Sequence, residues 1–305
     1  MSGIHQEEHD ATNAYQSLSE SIEHDDPRWA FGTGFEDVEA EIGADVPTGV
    51  DAADLSAYCL MLGDDALIYS HRLSEWVSNA PELEEEVALA NIALDLLGQA
   101  RVLLARAGHV EGAGRDEDAL AYLRDQAEFR NVALAELSDD LDFGRAIAHL
   151  LVFSTWRLAL LQRLLASADP VIAAIAGKGV KELTYHRDYA ARWTLRLGDG
   201  TAESHRRVQE ALQWVWPYVD ELFRTSDVEE RLALAGVAAD PGGAREEFDS
   251  VIDEVLAHAT LARPDSKPVG TIGGRGGRQG IHTEHLGHVL AVMQSIARQH
   301  PGASW

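Results

Sequence analysis

Lysine is almost missing from this sequence: only Lys178, Lys181 and Lys267 occur, so arginine supplies nearly all of the 25 basic residues set against 51 Asp and Glu. A nucleic-acid groove has no source here, because affinity for phosphates comes from clustered Lys and Arg that release counterions. The formal charge of −26 also disfavours an anionic membrane leaflet. Cysteine is as scarce. Cys59 alone excludes an intrachain disulfide framework and any zinc site built on several thiolates. No stretch of about 18 uninterrupted apolar residues occurs, and the opening MSGIHQEEHD has neither the basic nor the apolar region of a secretory signal. The expectation is a soluble cytoplasmic protein with no membrane and no nucleic-acid partner. A G-x-S-x-G elbow, a Walker loop and a strand-linked G-x-G-x-x-G are absent too, so nucleotide-dependent catalysis has no support. The acid excess with Arg chosen over Lys fits a salt-adapted host, where screening keeps a strongly negative surface soluble.

What remains is helical. Alternating β-branched runs and long repeats are lacking, whereas apolar residues from Asp51 onward recur every three or four positions: Leu55, Tyr58, Leu62, Ala66, Tyr69, Leu73, Trp76. Pro81 opens a second long helix to Gly108, with Glu82, Glu84, Glu85 and Glu86 at its positive end. Asp116 caps a third to about Leu137, Asp142 a fourth to about Ala168, and Asp169 with Pro170 starts a fifth ending near Gly198. Thr201 caps a sixth through Phe223, kinked by Pro217, and Ser226 with Glu229 forms a capping box for a short seventh. Another helix spans about 243–260. Arg263 to Gly280, with six glycines after residue 269, reads as a flexible or partner-ordered loop, and a last helix runs from His282 to Gln299. The predicted fold is all-α, a single helical domain over residues 51–305. Residues 1–50, with twelve acids and one Arg, read as an acidic, loosely ordered extension.

A long-helix bundle raises the possibility of a ferritin-like di-iron centre, which needs Glu-x-x-His on two helices and a carboxylate on each of two others. The sequence breaks that pattern. Leu96 and Gln99 stand where the second helix would carry such a pair, Glu182 and His186 are four apart with Tyr185 between, and the fourth helix has no Asp or Glu from Phe143 to Ala168. Asp65, Arg72, Asn91, Asp95 and Gln99 nonetheless fall inside the helices and need partners. The favoured expectation is a hydrogen-bonded network of these five with Lys181, Glu182 and His186, a filled-in metal pocket, its candidates Asp65, Asp95, Gln99, Lys181, Glu182 and His186, holding neither metal nor catalytic residue. A mononuclear metal site on the same residues is the alternative. His282, His285 and His288, spaced by three with Glu284 and His300 nearby, pose the same choice between metal binding and ordinary caps and contacts. Trp76, and Trp214 with Trp216 beside Pro217, are candidates for a partner surface as well as for core.

Six segments in one order carry a resemblance: LGDDALIYSHRLSEW, PELEEEVALANIALDLLGQAR, DALAYLRDQAEFRN, KELTYH, LGDGTAES and GIHTEHLGHVLAVMQSIARQHPGASW. Together they resemble the C subunits of the phenylacetyl-CoA ring-1,2-epoxidases, over about Asp51 to Trp305. The resemblance implies a ferritin-like bundle with additional C-terminal helices, acting as a non-catalytic structural subunit of an NADPH- and O2-dependent monooxygenase in phenylacetate catabolism. It also implies a di-iron catalytic A subunit as partner, a B subunit, and a reductase carrying FAD and an iron-sulfur cluster. Contact with the A subunit is expected on the first two helices. Two rivals are a free-standing ferritin-like metal-binding oxidase or oxygen sensor using Asp65, Glu182, His186 or the histidine cluster, and an acidic scaffold without a specific partner.

Overall fold

Each predicted cap closes a helix start. The side chains of Asp51, Asp116, Asp142, Asp169, Thr201 and Ser226 all accept from first-turn backbone N–H groups, each contribution being about 1 kcal/mol. The computed structural model describes residues 41–301 and 303. Among them ten α-helices follow in order: α1 Ala52–Ser74, α2 Leu83–Glu111, α3 Glu117–Tyr122, α4 Phe143–Leu164, α5 Pro170–Gly198, α6 Ala202–Val215, α7 Asp227–Leu234, α8 Arg245–His258, α9 Glu284–Met293 and α10 Ser295–Gln299. No strand occurs among the described residues, only one antiparallel bridge between Ile272 and Arg275.

The long helices α1, α2, α4 and α5 form the core. α1 packs mainly on α2, α4 on α5, and α2 on α5, while Leu62 of α1 meets Arg157 of α4. Partners run in opposite sense on every side: Ser56 bonds Ala107 across α1 and α2, and Gln99 and Asp95 meet Glu182 and His186 across α2 and α5. The result is an up-down-down-up bundle with a long crossover between α2 and α4, the ferritin-like arrangement. Gly179 brings the helices close, since a Cβ there would lie 2.5 Å from Leu161 and 3.3 Å from Gln99. Helices α6 and α8 cover α4 and α5, while α7 and α9 lie against α1.

The expected third helix is much shorter than its pattern. After α3 the chain breaks into the 3-10 turns Gln126–Glu128 and Ala133–Glu136, because buried carboxylates of α1 take its backbone N–H groups. Arg130 N donates to Asp64 at 2.8 Å and Val132 N to Asp65 at 2.8 Å, while Arg124 turns inward onto Asp64 at 3.0 Å. Helix α4 stops at Leu164, short of Ala168, and α6 at Val215, where 3-10 turns take over around Pro217. The final helix starts at Glu284, and a break at Gln294 divides it in two.

Most of the acidic extension lies outside the described residues. Its last part is packed: Ile42, Val46 and Val50 lie against the core. The guanidinium of Arg106 is held at 2.7 Å by Asp169 and donates at 2.9 Å to the carbonyl of Ile42 and on to that of Ala44. Helix α2 is long and apolar enough, by length and composition, to cross a membrane, and half of its most apolar window is buried. The helix packs on α1 and α5, and its Gln99 and Arg106 are both fully enclosed.

Candidate functional site

The centre of the four-helix core is occupied by a cation. Arg157 of α4 is fully buried, and its Nε and one terminal nitrogen donate to Gln99 Oε1 at 3.2 and 3.1 Å. The same terminal nitrogen donates to the carbonyl of Leu62 at 3.2 Å. Gln99 is oriented by this contact, so its amide nitrogen faces the other way and donates to Glu182 Oε2 at 2.8 Å. Glu182 Oε1 lies 3.4 Å from Lys178 Nζ, one turn earlier on α5. Burial pulls the Arg157 guanidinium down to about 10, opposed by Asp65, so it stays charged at neutral pH. Burial, then Asp95, pushes the Glu182 carboxyl up, against Gln99 and Lys178.

The six expected pocket residues do not form one cluster. Gln99 and Glu182 do meet. Asp95 and His186 form a separate pair, Asp95 Oδ2 to Nε2 at 3.0 Å, with the imidazole buried and Asp95 partly open. Asp65 faces the other way, into a bidentate pair with Arg278 at 2.9 and 3.0 Å, and burial pushes its carboxyl up against the pull of Arg278 and Arg157. Lys181 is exposed, and the lysine that reaches Glu182 is Lys178, one turn away. Arg72 and Trp76 also have structural partners. Arg72 donates to the carbonyls of Glu136 and His285, both at 2.8 Å, and Trp76 is buried, its indole N–H on Asp139 at 2.8 Å. Trp216 is buried as well, while Trp214 is only partly covered.

Sequence reasoning missed Arg157 and Arg278. The signal for the first was present: a lone arginine inside the apolar run FSTWRLALL of a helix buried all round needs an internal acceptor. Arg278 had no such signal, because it belongs to the glycine-rich stretch expected to be flexible. There its guanidinium enters the core, donating at 3.0 and 2.9 Å to the carbonyls of Met61 and Arg130 besides Asp65. Gly277 permits the approach, since a Cβ at that position would lie 2.2 Å from the carbonyl oxygen of Asn131. Glu221 ties the loop down further, accepting from Gly277 N and Ala133 N, both at 2.9 Å.

The histidine cluster is likewise dispersed. Both ring nitrogens of His282 are engaged, one with Glu136 Oε1 at 2.6 Å and one with the carbonyl of Phe129 at 3.1 Å. Thr283 donates to the same carboxylate through its backbone N–H at 2.8 Å and its hydroxyl at 2.6 Å. This staple seats the C-terminal helices. His288 and His300 are exposed, and among the described residues no three His, Cys, Asp or Glu side chains come together as a metal-binding group.

The ferritin-like fold implies a di-iron centre, and these residues do not fit one. Two iron ions need several anionic carboxylates and two imidazoles turned inward together. Here a neutral amide, Gln99, holds the middle of α2, α4 contributes a guanidinium in place of a carboxylate, and the buried imidazole of His186 is paired with Asp95. A buried positive charge at the centre opposes a second one there.

The structure thus defines a ferritin-like helical bundle whose centre is cross-linked by hydrogen bonds and ion pairs. The family described as phenylacetic acid catabolic protein matches residues 42–305, and the chain belongs to it. It is 42% identical over 251 residues to the C subunit of the 1,2-phenylacetyl-CoA epoxidase of Escherichia coli (strain K12), an alignment covering 82% of this chain and 99% of that relative.

Proposed function

We propose that this chain is a non-catalytic, structural subunit of a multicomponent phenylacetyl-CoA ring-1,2-epoxidase in aerobic phenylacetate catabolism. The carrying observation is the Arg157 guanidinium at the bundle centre, bonded to Gln99. With that cation in place the bundle is a prefolded scaffold, and the oxygen chemistry belongs to a di-iron catalytic A subunit. A B subunit and a reductase with FAD, an iron-sulfur cluster and NADPH complete the assembly, which works in the cytoplasm. No nucleic acid and no membrane takes part. The match to an epoxidase C subunit over 99% of that relative's length supports this reading. A free-standing oxidase or sensor would have to draw ligands from Asp65, Glu182 and His186, each of which is already paired with another residue.

The test is iron content by plasma mass spectrometry, on the chain purified alone in high salt and on the chain co-purified with its catalytic partner. Iron is expected only in the second sample, in proportion to the partner. One or two irons per molecule of the isolated chain would overturn the assignment.

A further inference from the structure

A cleft of about 690 Å³ opens along the C-terminal half of α2, lined by Arg101, Val102, Ala105, Gly108 and His109 of that helix and by Ile42. Ile42 is pinned there, because its carbonyl accepts from the buried Arg106 at 2.9 Å. Leu97 and Leu94 lie one and two turns before Arg101 and carry the same side of the helix onward, 37% and 44% exposed. The acidic N-terminal chain therefore joins the described structure inside a cleft that continues into an uncovered apolar face.

Residues 31–40 lie outside the described residues and outside the family match, which starts at residue 42. Their sequence, FGTGFEDVEA, sets Phe31, Phe35 and Val38 at steps of four and three, adds Glu36, Asp37 and Glu39, and contains no basic residue. Ten residues span about 15 Å as a helix and about 33 Å extended. Leu94 stands about 12 Å along α2 from Val102, so the segment reaches the leucines in either form. Charge decides the direction. Towards α3 the cleft bears Asp116 and Glu117, and Glu111 already holds Arg115 at 2.6 Å, so three further carboxylates are repelled there. The opposite way lie Arg101 and, on α5 close to the level of Gln99, Lys178 and Lys181, two of the chain's three lysines.

We propose that residues 31–40 are an intramolecular ligand of α2. The segment runs back from Ile42 towards the N-terminal end of that helix, seats Phe35 and Val38 on the Leu94 and Leu97 face, and sets its carboxylates against Arg101, Lys178 and Lys181. Tethering favours this occupant, since a segment joined through Glu41 to the cleft is present there at about millimolar effective concentration and a weak contact suffices. A second copy of the chain would bring a further −26 formal charge against this one.

The test uses the intact chain as a mixture of isotopically light and heavy protein, with carbodiimide coupling of carboxylates to lysine amines mapped by peptide mass spectrometry. Three lysines make the acceptors few. Glu36, Asp37 or Glu39 should join Lys178 or Lys181 within single copies, at no less than ten times the yield with Lys267. The double change Phe35→Glu with Val38→Glu should lower that yield at least fivefold and raise bis-ANS fluorescence, and Leu94→Glu should lower the yield from the other side of the contact. Far-UV circular dichroism and Tm establish that each variant is folded. Links spread evenly over the three lysines, no link to either α5 lysine, or a yield untouched by these substitutions would overturn the proposal. Links joining light to heavy copies would overturn it in favour of a second copy on this face. The subunit assignment stands or falls separately, on the iron measurement.

Discussion

Replacing Arg157 by Leu tests whether the bundle centre is a working cross-link. The substitution removes three hydrogen bonds, two to Gln99 Oε1 and one to the carbonyl of Leu62. Gln99 Oε1 is left buried without a donor, a loss of about 1–3 kcal/mol. Asp65 and Glu182 also lose a nearby positive charge, and one-sided removal from a buried charge network costs about 3–5 kcal/mol in all. A domain of this size loses about 2–4 °C of Tm per kcal/mol, which gives a fall on the order of 10 °C. Thermal unfolding followed by circular dichroism at high salt measures it. The concerted change Arg157→Met with Gln99→Leu and Glu182→Leu removes the three hydrogen-bonded side chains together and leaves no orphan among them, while Lys178, which loses Glu182, is partly open to solvent. It should recover most of the loss, as apolar replacement of buried polar networks often does. A single variant within about 2 °C of the parent, or a triple variant worse than the single one, would refute the argument.

Two further outcomes follow from charge. His149 is fully buried, with its ring 4.4 Å from that of Tyr69, and burial pushes its imidazole down to about 3. Below pH 6.5 the unfolded chain binds a proton there that the folded chain refuses, so stability falls as pH drops from 6.5 towards 3, by about 2 kcal/mol at pH 5. Asp139, pushed up to about 6 by burial, acts in the opposite sense between pH 6 and 3.8, so the comparison must be made against His149→Phe, in which only the histidine contribution disappears. Urea unfolding at pH 7 and pH 5 reads the difference, and an identical pH response in both proteins would count against the assignment. The second outcome concerns salt: with a formal charge of −26, Tm should climb as ionic strength rises from 0.1 to 1 M and the screening length shrinks from about 10 to 3 Å. A flat or falling Tm would contradict the salt-adapted reading of the composition.

The helices that were legible were those whose signals are local. Caps such as Asp51, Asp142 and Asp169 act on the next turn of their own helix, and apolar periodicity is a property of a single segment. The segment after α3 failed for the opposite reason. Its pattern favours a continuing helix, but Asp64 and Asp65, more than sixty positions earlier, take the N–H groups of Arg130 and Val132 and draw the chain out of it. The glycine-rich stretch misled in the same way, because Arg278 reaches its partner Asp65 only after the whole bundle has formed.

By itself the sequence determined the all-α class, the long bundle helices, the family and the broken Glu-x-x-His pattern, since each depends on residue types at fixed local spacing. Only the tertiary structure decided which polar groups meet: Arg157 with Gln99, Lys178 rather than Lys181 with Glu182, Asp65 with Arg278, and His282 with Glu136. The physical reason is that a buried polar group must find a partner, but which one depends on helix rotation and on loops that return from far along the chain. The spacing showed that the Glu-x-x-His pattern is broken, and the packing showed that a guanidinium sits at the centre.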